Sequence, residues 1–443
     1  MPEYIEQPRY SCALAAFQSV TAIRHGVPIL HSGPGCGGKV CGFMGPGEGY
    51  AGGNTIPCTN EEEKDVVFGG EKKLRGVIEE SFKILKGDIY VVITGCTAAI
   101  VGDDIASIVK DYQDQDRPIV YLECGGFKSN NYVSHSRLVN AIVDQYVDKY
   151  KEGTEKIKGL VNVFATIPHQ DPYWNGNLEG LKKVLEGIGL KVNILFGNES
   201  EGLSEWRTIP NAQFNILVSA WEGLPIVKHL QKKYGTPYIQ FPYLPVGGVE
   251  TSRFLREVGR FGELDPQVVE DYIRREEGKY YAHIEKTADF MQEFRYGIPR
   301  KVYSIADATY ALGFSRFLLN ELGVVPGLQC VADNTPDKYQ DEIRQRFEQI
   351  SEIRKRDVKV IFDPDAGADQ QLIREDHKAN PDRRPLVLGS GWDKQLAGEL
   401  GGDLLPVNNP VTYRLVLNCG YTGYEGGLRA IEDIYDRVLG TYR

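Results

Sequence analysis

A chain of 443 residues that is 42% hydrophobic can fill the cores of about three ordinary domains. Its formal charge of -10, with no cluster of Lys and Arg, argues against a nucleic-acid surface, and no run approaches the roughly 18 apolar residues of a membrane span. No basic segment followed by an apolar stretch opens the chain, and eight cysteines without close pairing fit a reducing compartment, so a cytoplasmic protein is expected.

Apolar runs that read as buried strands follow one another along the chain: Val27 to Leu30, Ile89 to Thr94, Ile119 to Leu122, Val161 to Ala165, Val192 to Phe196, Phe214 to Ser219 and Tyr238 to Phe241. The rhythm resumes at Lys301 to Ile305, Val358 to Phe362, Pro385 to Leu388 and Leu404 to Val407. Amphipathic helical stretches such as Glu71 to Leu85 and Leu224 to Lys233 separate them. This alternation is the βαβ pattern of parallel sheets covered by helices. It predicts an α/β fold of three Rossmann-like domains, 1–153, 154–298 and 299–443. The boundaries fall near Gly153, after a charged helix, and near Pro299, after the charged helical stretch Asp265 to Phe294.

Cys12, Cys36 and Cys96 each sit beside glycine or small residues at an expected strand-to-loop corner. A parallel sheet delivers its strand ends to one crevice, so folding can gather these thiolates. Three soft ligands from one chain suit an iron-sulfur group or zinc completed by another chain; small buried core cysteines are the alternative, and no CxxC decides between them. Gly33 to Lys39 has P-loop spacing, but Val40 stands where Ser or Thr would hold magnesium, and the glycine-rich run beyond it argues against a helix that could hold phosphate. Asp103 and Asp104 precede the helical IASIVKDY and read as its cap rather than as metal ligands. The FGG ending at Gly70 reads as a turn. His31 reads as a core histidine or a neighbour of the site, and Cys124 as a strand-end thiol able to approach it. Cys41, Cys58, Cys330 and Cys419 read as structural. None of the seven histidines has HxH or HExxH spacing, which leaves catalytic zinc without support.

RYSCALAA around Cys12, HSGPGCGGK around Cys36, VFGGEKKL, and TGCTAAIVGDD around Cys96, in this order, resemble the N-terminal domain of nitrogenase component 1 proteins, and the resemblance extends over essentially the whole chain. It implies that Cys12, Cys36 and Cys96 hold half of a cluster shared with a partner chain at the domain and subunit interface. That cluster would be an [8Fe-7S] P-cluster, or a [4Fe-4S] cluster as in the dark-operative protochlorophyllide reductase. In catalytic alpha chains of the family a cysteine and a histidine hold an active-site cofactor; here Ala220 and Thr422 stand near those places, and neither can replace such a ligand. The ending GYEGGLRAIEDIYDRVL resembles beta chains. The implied assembly is an α2β2 heterotetramer fed by a separate ATP-hydrolysing [4Fe-4S] reductase homodimer, with the substrate reduced in the alpha-type partner. Gly126 lies roughly where the molybdenum enzyme's beta chain has a serine ligand, and its long N-terminal extension is missing. These departures favour a nitrogenase-like reductase that cleaves the carbon-sulfur bonds of methylthio-alkanes. A dinitrogen-reducing beta chain, a cofactor-assembly scaffold and a protochlorophyllide-type subunit are the alternatives.

Overall fold

The computed structural model describes residues 4–41, 56–151, 155–293, 297–351 and 357–440; the expected boundary at Gly153 lies outside them. Three sheets follow one another along the chain. The first is β1 (Gly26–His31), β2 (Ile89–Thr94) and β3 (Ile119–Glu123), in the order β1-β2-β3. The second comprises β4 (Ile157–Phe164), β5 (Lys191–Asn193), β6 (Ala212–Val218) and β7 (Tyr238–Phe241), in the order β5-β4-β6-β7. The third comprises β8 (Lys301–Ala306), β9 (Val325–Val331), β10 (Val360–Phe362), β11 (Leu386–Gly389) and β12 (Asp403–Pro406), in the order β10-β9-β8-β11-β12. Every strand pairing among these is parallel.

Such sheets need helices on both faces, and the first shows how its residues are divided between them. Its helices include α1 (Ala16–Thr21), α2 (Pro34–Cys41), α3 (Glu63–Phe68), α4 (Glu71–Ile84), α5 (Cys96–Val101), α6 (Ile105–Gln113) and α7 (Asn131–Gln145). Strand β2 is buried along its whole length. Tyr90 and Val92 turn to one face, against Leu74 and Ile78 of α4 and Ile108 of α6. Val91 and Ile93 turn to the other, into a core shared with Phe17 of α1 and Leu138 of α7. That second core continues unbroken through Phe214 of β6 and Phe314 to Leu388 of β11, so the second and third sheets are packed into the same apolar mass.

The expected strands are present, with two differences. Strand β9 was not expected, because Pro326 and Gly327 interrupt its apolar run. The sheet accommodates them through a register shift against β8 between Val302 and Ser304, the kind of irregularity where proline and glycine are tolerated. Strand β5 ends at Asn193, and Leu195 beyond it takes a φ of 64°. No helix among the described residues is long and apolar enough to cross a membrane.

The N-terminal segment is fastened to the third sheet before it reaches Cys12. Arg9 donates from Nη2 to Asp393 Oδ2 at 2.7 Å, with both side chains fully buried, and its guanidinium lies 5.2 Å from the centre of the Trp392 ring. Asp393 is itself held by the Ser390 N–H at 2.7 Å and by Gln370 Nε2 at 2.9 Å.

Candidate metal-cluster site

The ends of β1 and β2 lie side by side, His31 paired with Thr94, so the residues that follow them emerge at one edge. Cys96 opens α5 directly after β2, and Gly95 before it donates to the His31 carbonyl at 2.8 Å. Cys36 sits in the first turn of α2, its N–H directed to the Gly33 carbonyl at 3.2 Å. The run Pro34 to Cys41 forms a helix, while the glycine-rich run that was expected not to open one lies, past Cys41, outside the described residues. Proline at its first position has the φ a helix needs and no N–H to lose there. Val40 in place of Ser or Thr is left as the argument against a P-loop.

Cys12 arrives from outside the sheet. Its segment is pinned beside α7 by a backbone bridge to Asn130 and by Ser11, whose N–H donates to Asn131 Oδ1 at 2.7 Å. The meeting point is Gly126. Its N–H donates to Cys96 Sγ at 3.1 Å, and a Cβ added there would lie 2.8 Å from Cys12 Sγ and 3.4 Å from Cys96 Sγ. Two of the three cysteines thus converge on a bare glycine. Cys36 is near enough for its charge to act on Cys12, whose thiol is raised first by desolvation and then by Cys96 and Cys36, with the Leu14 N–H opposing. Cys12 and Cys36 are exposed and Cys96 is partly so.

The surroundings suit an electron-rich group bridging these sulfurs. Ser32 Oγ is buried without a hydrogen-bond partner, and it lies over Gly95, where a Cβ would meet it at 2.3 Å. An orphaned hydroxyl next to Cys96 is a donor awaiting an acceptor such as a thiolate or sulfide. The bare Cα of Gly126 leaves room between the Cys12 and Cys96 sulfurs. Thiolate donors without a carboxylate among them favour soft iron-sulfur groups over hard cations. Around this edge Val67, Phe68, Ile100 and Phe127 are exposed, between 60% and 86%, an apolar margin unusual for a surface that meets only water.

The other sulfurs have different roles. Cys124 is buried behind the site, donates to the Ala13 carbonyl at 2.8 Å and is pushed up to about 12, chiefly by desolvation. Cys58 bridges to Leu30 and donates to the Ser32 carbonyl at 3.3 Å. Cys330 is buried in the third sheet, and Cys419 accepts from Arg414 at 3.2 Å. The side chain of Cys41 lies outside the described residues.

Asp104 caps α6, accepting from the Ser107 N–H at 2.9 Å, as expected. Asp103 does not. Its carboxylate takes the Gly70 N–H on both oxygens at 3.1 Å and meets His31 Nε2 at 2.9 Å. Glu61 stands on the other side of His31, its Oε1 3.4 Å from Nδ1. Sequence spacing gave no sign of this cluster, because its members lie in three separate segments.

The crevice between the second and third sheets holds no thiolate or imidazole at the two positions considered. The Ala220 N–H donates to Thr309 Oγ1 at 3.0 Å, and the Thr422 hydroxyl donates to the Asn177 carbonyl at 2.9 Å. A cavity of about 40 Å³, lined among others by Asp171, Glu222 and Asp307, is room for about one water. Burial raises these carboxyls, Asp171 and Glu222 to about 7 and Asp307 well above its ordinary range. Between about pH 4 and pH 7 the folded Asp171 keeps a proton that the unfolded chain releases, so stability falls as pH rises through that window, by up to about 4 kcal/mol. Asp171→Asn should flatten the dependence, as measured by denaturant unfolding at about pH 5 and about pH 8; an unchanged slope would refute it.

A family model described as nitrogenase component 1 type oxidoreductase matches residues 9–439. The chain belongs to this family. Its relatives include a nitrogenase molybdenum-iron protein beta chain from Methanococcus maripaludis, 25% identical over 97% of this chain and 93% of the relative. They also include one of the chains of the light-independent protochlorophyllide reductase of Angiopteris evecta, 22% identical over 83% of this chain and 70% of the relative. The fold is that of a solved structure titled "Nitrogenase Cp1 at pH 6.5", which superimposes with a TM-score of 0.79 at 18% identity, over 100% of this chain and 95% of that one. This component 1 chain is accordingly an oxidoreductase subunit, and membership of the family implies iron-sulfur chemistry.

Proposed function

We propose that the chain is the beta-type subunit of a nitrogenase-like, ATP-dependent reductase, and that Cys12, Cys36 and Cys96 are its ligands to an iron-sulfur cluster shared with an alpha-type chain. The observation that carries this reading is the convergence of the Cys12 and Cys96 sulfurs on the bare Cα of Gly126, with the Gly126 N–H on Cys96 Sγ at 3.1 Å. Such a cluster supplies one-electron storage at a potential set by ligation, hydrogen bonding and burial.

The chain's own residues make the setting. The Gly126 N–H would steady the Cys96 thiolate, and the buried, unpartnered Ser32 hydroxyl beside Gly95 is a further donor that a bound group could use. The exposed sulfurs of Cys12 and Cys36 await ligands from elsewhere, and the margin formed by Val67, Phe68, Ile100 and Phe127 suits burial under the alpha-type chain of an α2β2 assembly. ATP belongs to a separate reductase homodimer carrying a [4Fe-4S] cluster, in keeping with Val40 in the P-loop-like segment. The substrate reading, reductive cleavage of methylthio-alkanes, rests on Gly126 standing where a serine ligand would be, and dinitrogen is the second substrate to assay.

The test is iron, acid-labile sulfide and low-temperature EPR on the anaerobically purified complex. About eight irons per alpha-beta pair beyond any cofactor supports an [8Fe-7S] cluster, and about four supports a [4Fe-4S] cluster of the protochlorophyllide kind. No iron at these cysteines overturns the proposal. Steady product formation with the reductase separates an enzyme from a cofactor-assembly scaffold.

Gly126→Ala supplies a further prediction. Its methyl would press on Cys12 Sγ from 2.8 Å. Overpacking of about 1–3 kcal/mol falls on the thiolate pair, so iron retention should drop about tenfold for each 1.4 kcal/mol while circular dichroism stays unchanged. Full iron in this variant would show that the gap at Gly126 is not used.

A further inference from the structure

We propose that His31, Glu61 and Asp103 form a second metal site, distinct from the cysteines, which binds a first-row divalent cation through His31 Nδ1 and the Glu61 carboxylate while Asp103 holds the imidazole from behind. One ligand atom from each of the three lies within 4.8 Å of the others, and their side chains are only 0%, 3% and 4% exposed.

Hydrogen bonding decides which nitrogen faces the ion. Asp103 Oδ2 lies 2.9 Å from Nε2, and its carboxylate is fixed by the Gly70 N–H, so the imidazole proton belongs on Nε2. Nδ1 then presents its lone pair toward Glu61 Oε1 at 3.4 Å and Thr59 Oγ1 at 3.1 Å. The Thr59 hydroxyl can donate to that lone pair, but the carboxylate oxygen facing it in a dry place still needs something positive beside it. The 3.4 Å gap matches the N···O edge of a tetrahedral ion with bonds of ~2.1 Å. A carboxylate behind a metal-bound histidine, fixing its ring, is a recurrent arrangement of such sites.

Two further observations point to a ligand. Glu61 Oε2 is buried and has no hydrogen-bond partner. Gly70 keeps the space open: a Cβ there would lie 2.8 Å from His31 Cε1, 2.9 Å from Asp103 Oδ2 and 3.3 Å from Glu61 Oε1. The charge count is also unbalanced, two carboxylates against one imidazole. The nearby cation, Lys73, is spent on Asp65 Oδ2 at 2.9 Å and on the Asn60 carbonyl at 2.6 Å. Burial raises the Glu61 carboxyl to about 7, with Asp103 and Asp65 adding to the shift, and lowers His31, which shows how poorly the cluster tolerates its charges without a counter-ion. Mixed imidazole and carboxylate donors suit zinc or a neighbouring first-row ion better than a soft or a purely oxygen-loving one.

The test uses the assembled, iron-loaded complex dialysed against micromolar Zn²⁺. The expected result is one zinc per chain with an anomalous peak at the zinc edge between His31 and Glu61. Glu61→Gln, nearly isosteric, should abolish that zinc while leaving the iron content and the EPR signal intact, which keeps this site separable from the cysteine cluster. No peak between His31 and Glu61 in the wild-type complex, or an unchanged peak in Glu61→Gln, overturns the proposal and leaves a shared proton in the gap.

Discussion

Cys36→Ala should yield a folded chain that cannot keep its cluster. The side chain is exposed in the first turn of α2, and its removal opens no cavity in the core, so the cost to folding should stay within about 0.5 kcal/mol. The cost to the metal group is different in kind, because a thiolate is replaced by a methyl with no lone pair. Iron and sulfide should fall to background or to a fragment of the full count, and turnover with the reductase should disappear with them. The far-ultraviolet circular dichroism and the denaturation midpoint of the metal-free chain should match those of metal-free wild type. Wild-type iron and activity in Cys36→Ala would remove this residue from the ligand set and send the third ligand elsewhere.

Arg9→Ala acts through folding instead. Arg9 and Asp393 are both fully buried, and deleting the guanidinium strands a carboxylate that the Ser390 N–H and Gln370 compensate only in part. Breaking such a pair costs about 3–5 kcal/mol, most of it the penalty for the charge left behind. Arg9→Ala with Asp393→Asn should therefore be more stable than Arg9→Ala alone, a sign that a simple loss of packing against Trp392 would not produce. The single variant should also lose iron, since the segment that brings Cys12 to the edge of the first sheet starts from this anchor. Denaturant unfolding of the metal-free chain separates the two effects. A loss below about 1 kcal/mol would mean that the pair is dispensable to the fold.

The parallel sheets were legible because strands buried on both faces leave continuous apolar runs, as IYVVIT does at β2. Strand β9 was not, because Pro326 and Gly327 look like a break, and only pairing with β8 through a register shift makes a strand of them. Helix α2 was not among the expected helices: Gly35, Gly37 and Gly38 give it low propensity, and Pro34 at its first position starts it. Cys12, Cys36 and Cys96 stood out through their short motifs, and their joint role followed from an ordered resemblance rather than from spacing. Gly126 entered the reading as the substitute for a serine; that its missing side chain leaves the space between two sulfurs is a fact of the folded chain. The cluster of His31, Glu61 and Asp103 could not be read at all, since it depends on the turn at Gly70 meeting the ends of β1 and α5.

Cys124 bears on how iron reaches its place. A fourth sulfur behind Cys12 and Cys96 would be a competing acceptor during loading, able to trap a partly built cluster in the wrong geometry. Its proton is directed to the Ala13 carbonyl at 2.8 Å and burial pushes the thiol up to about 12, so a metal would have to displace a more tightly held proton there than at an exposed cysteine. On the proposed ligand set, burial and this hydrogen bond thus set Cys124 apart from the three cysteines in front of it and make it the poorer competitor for iron.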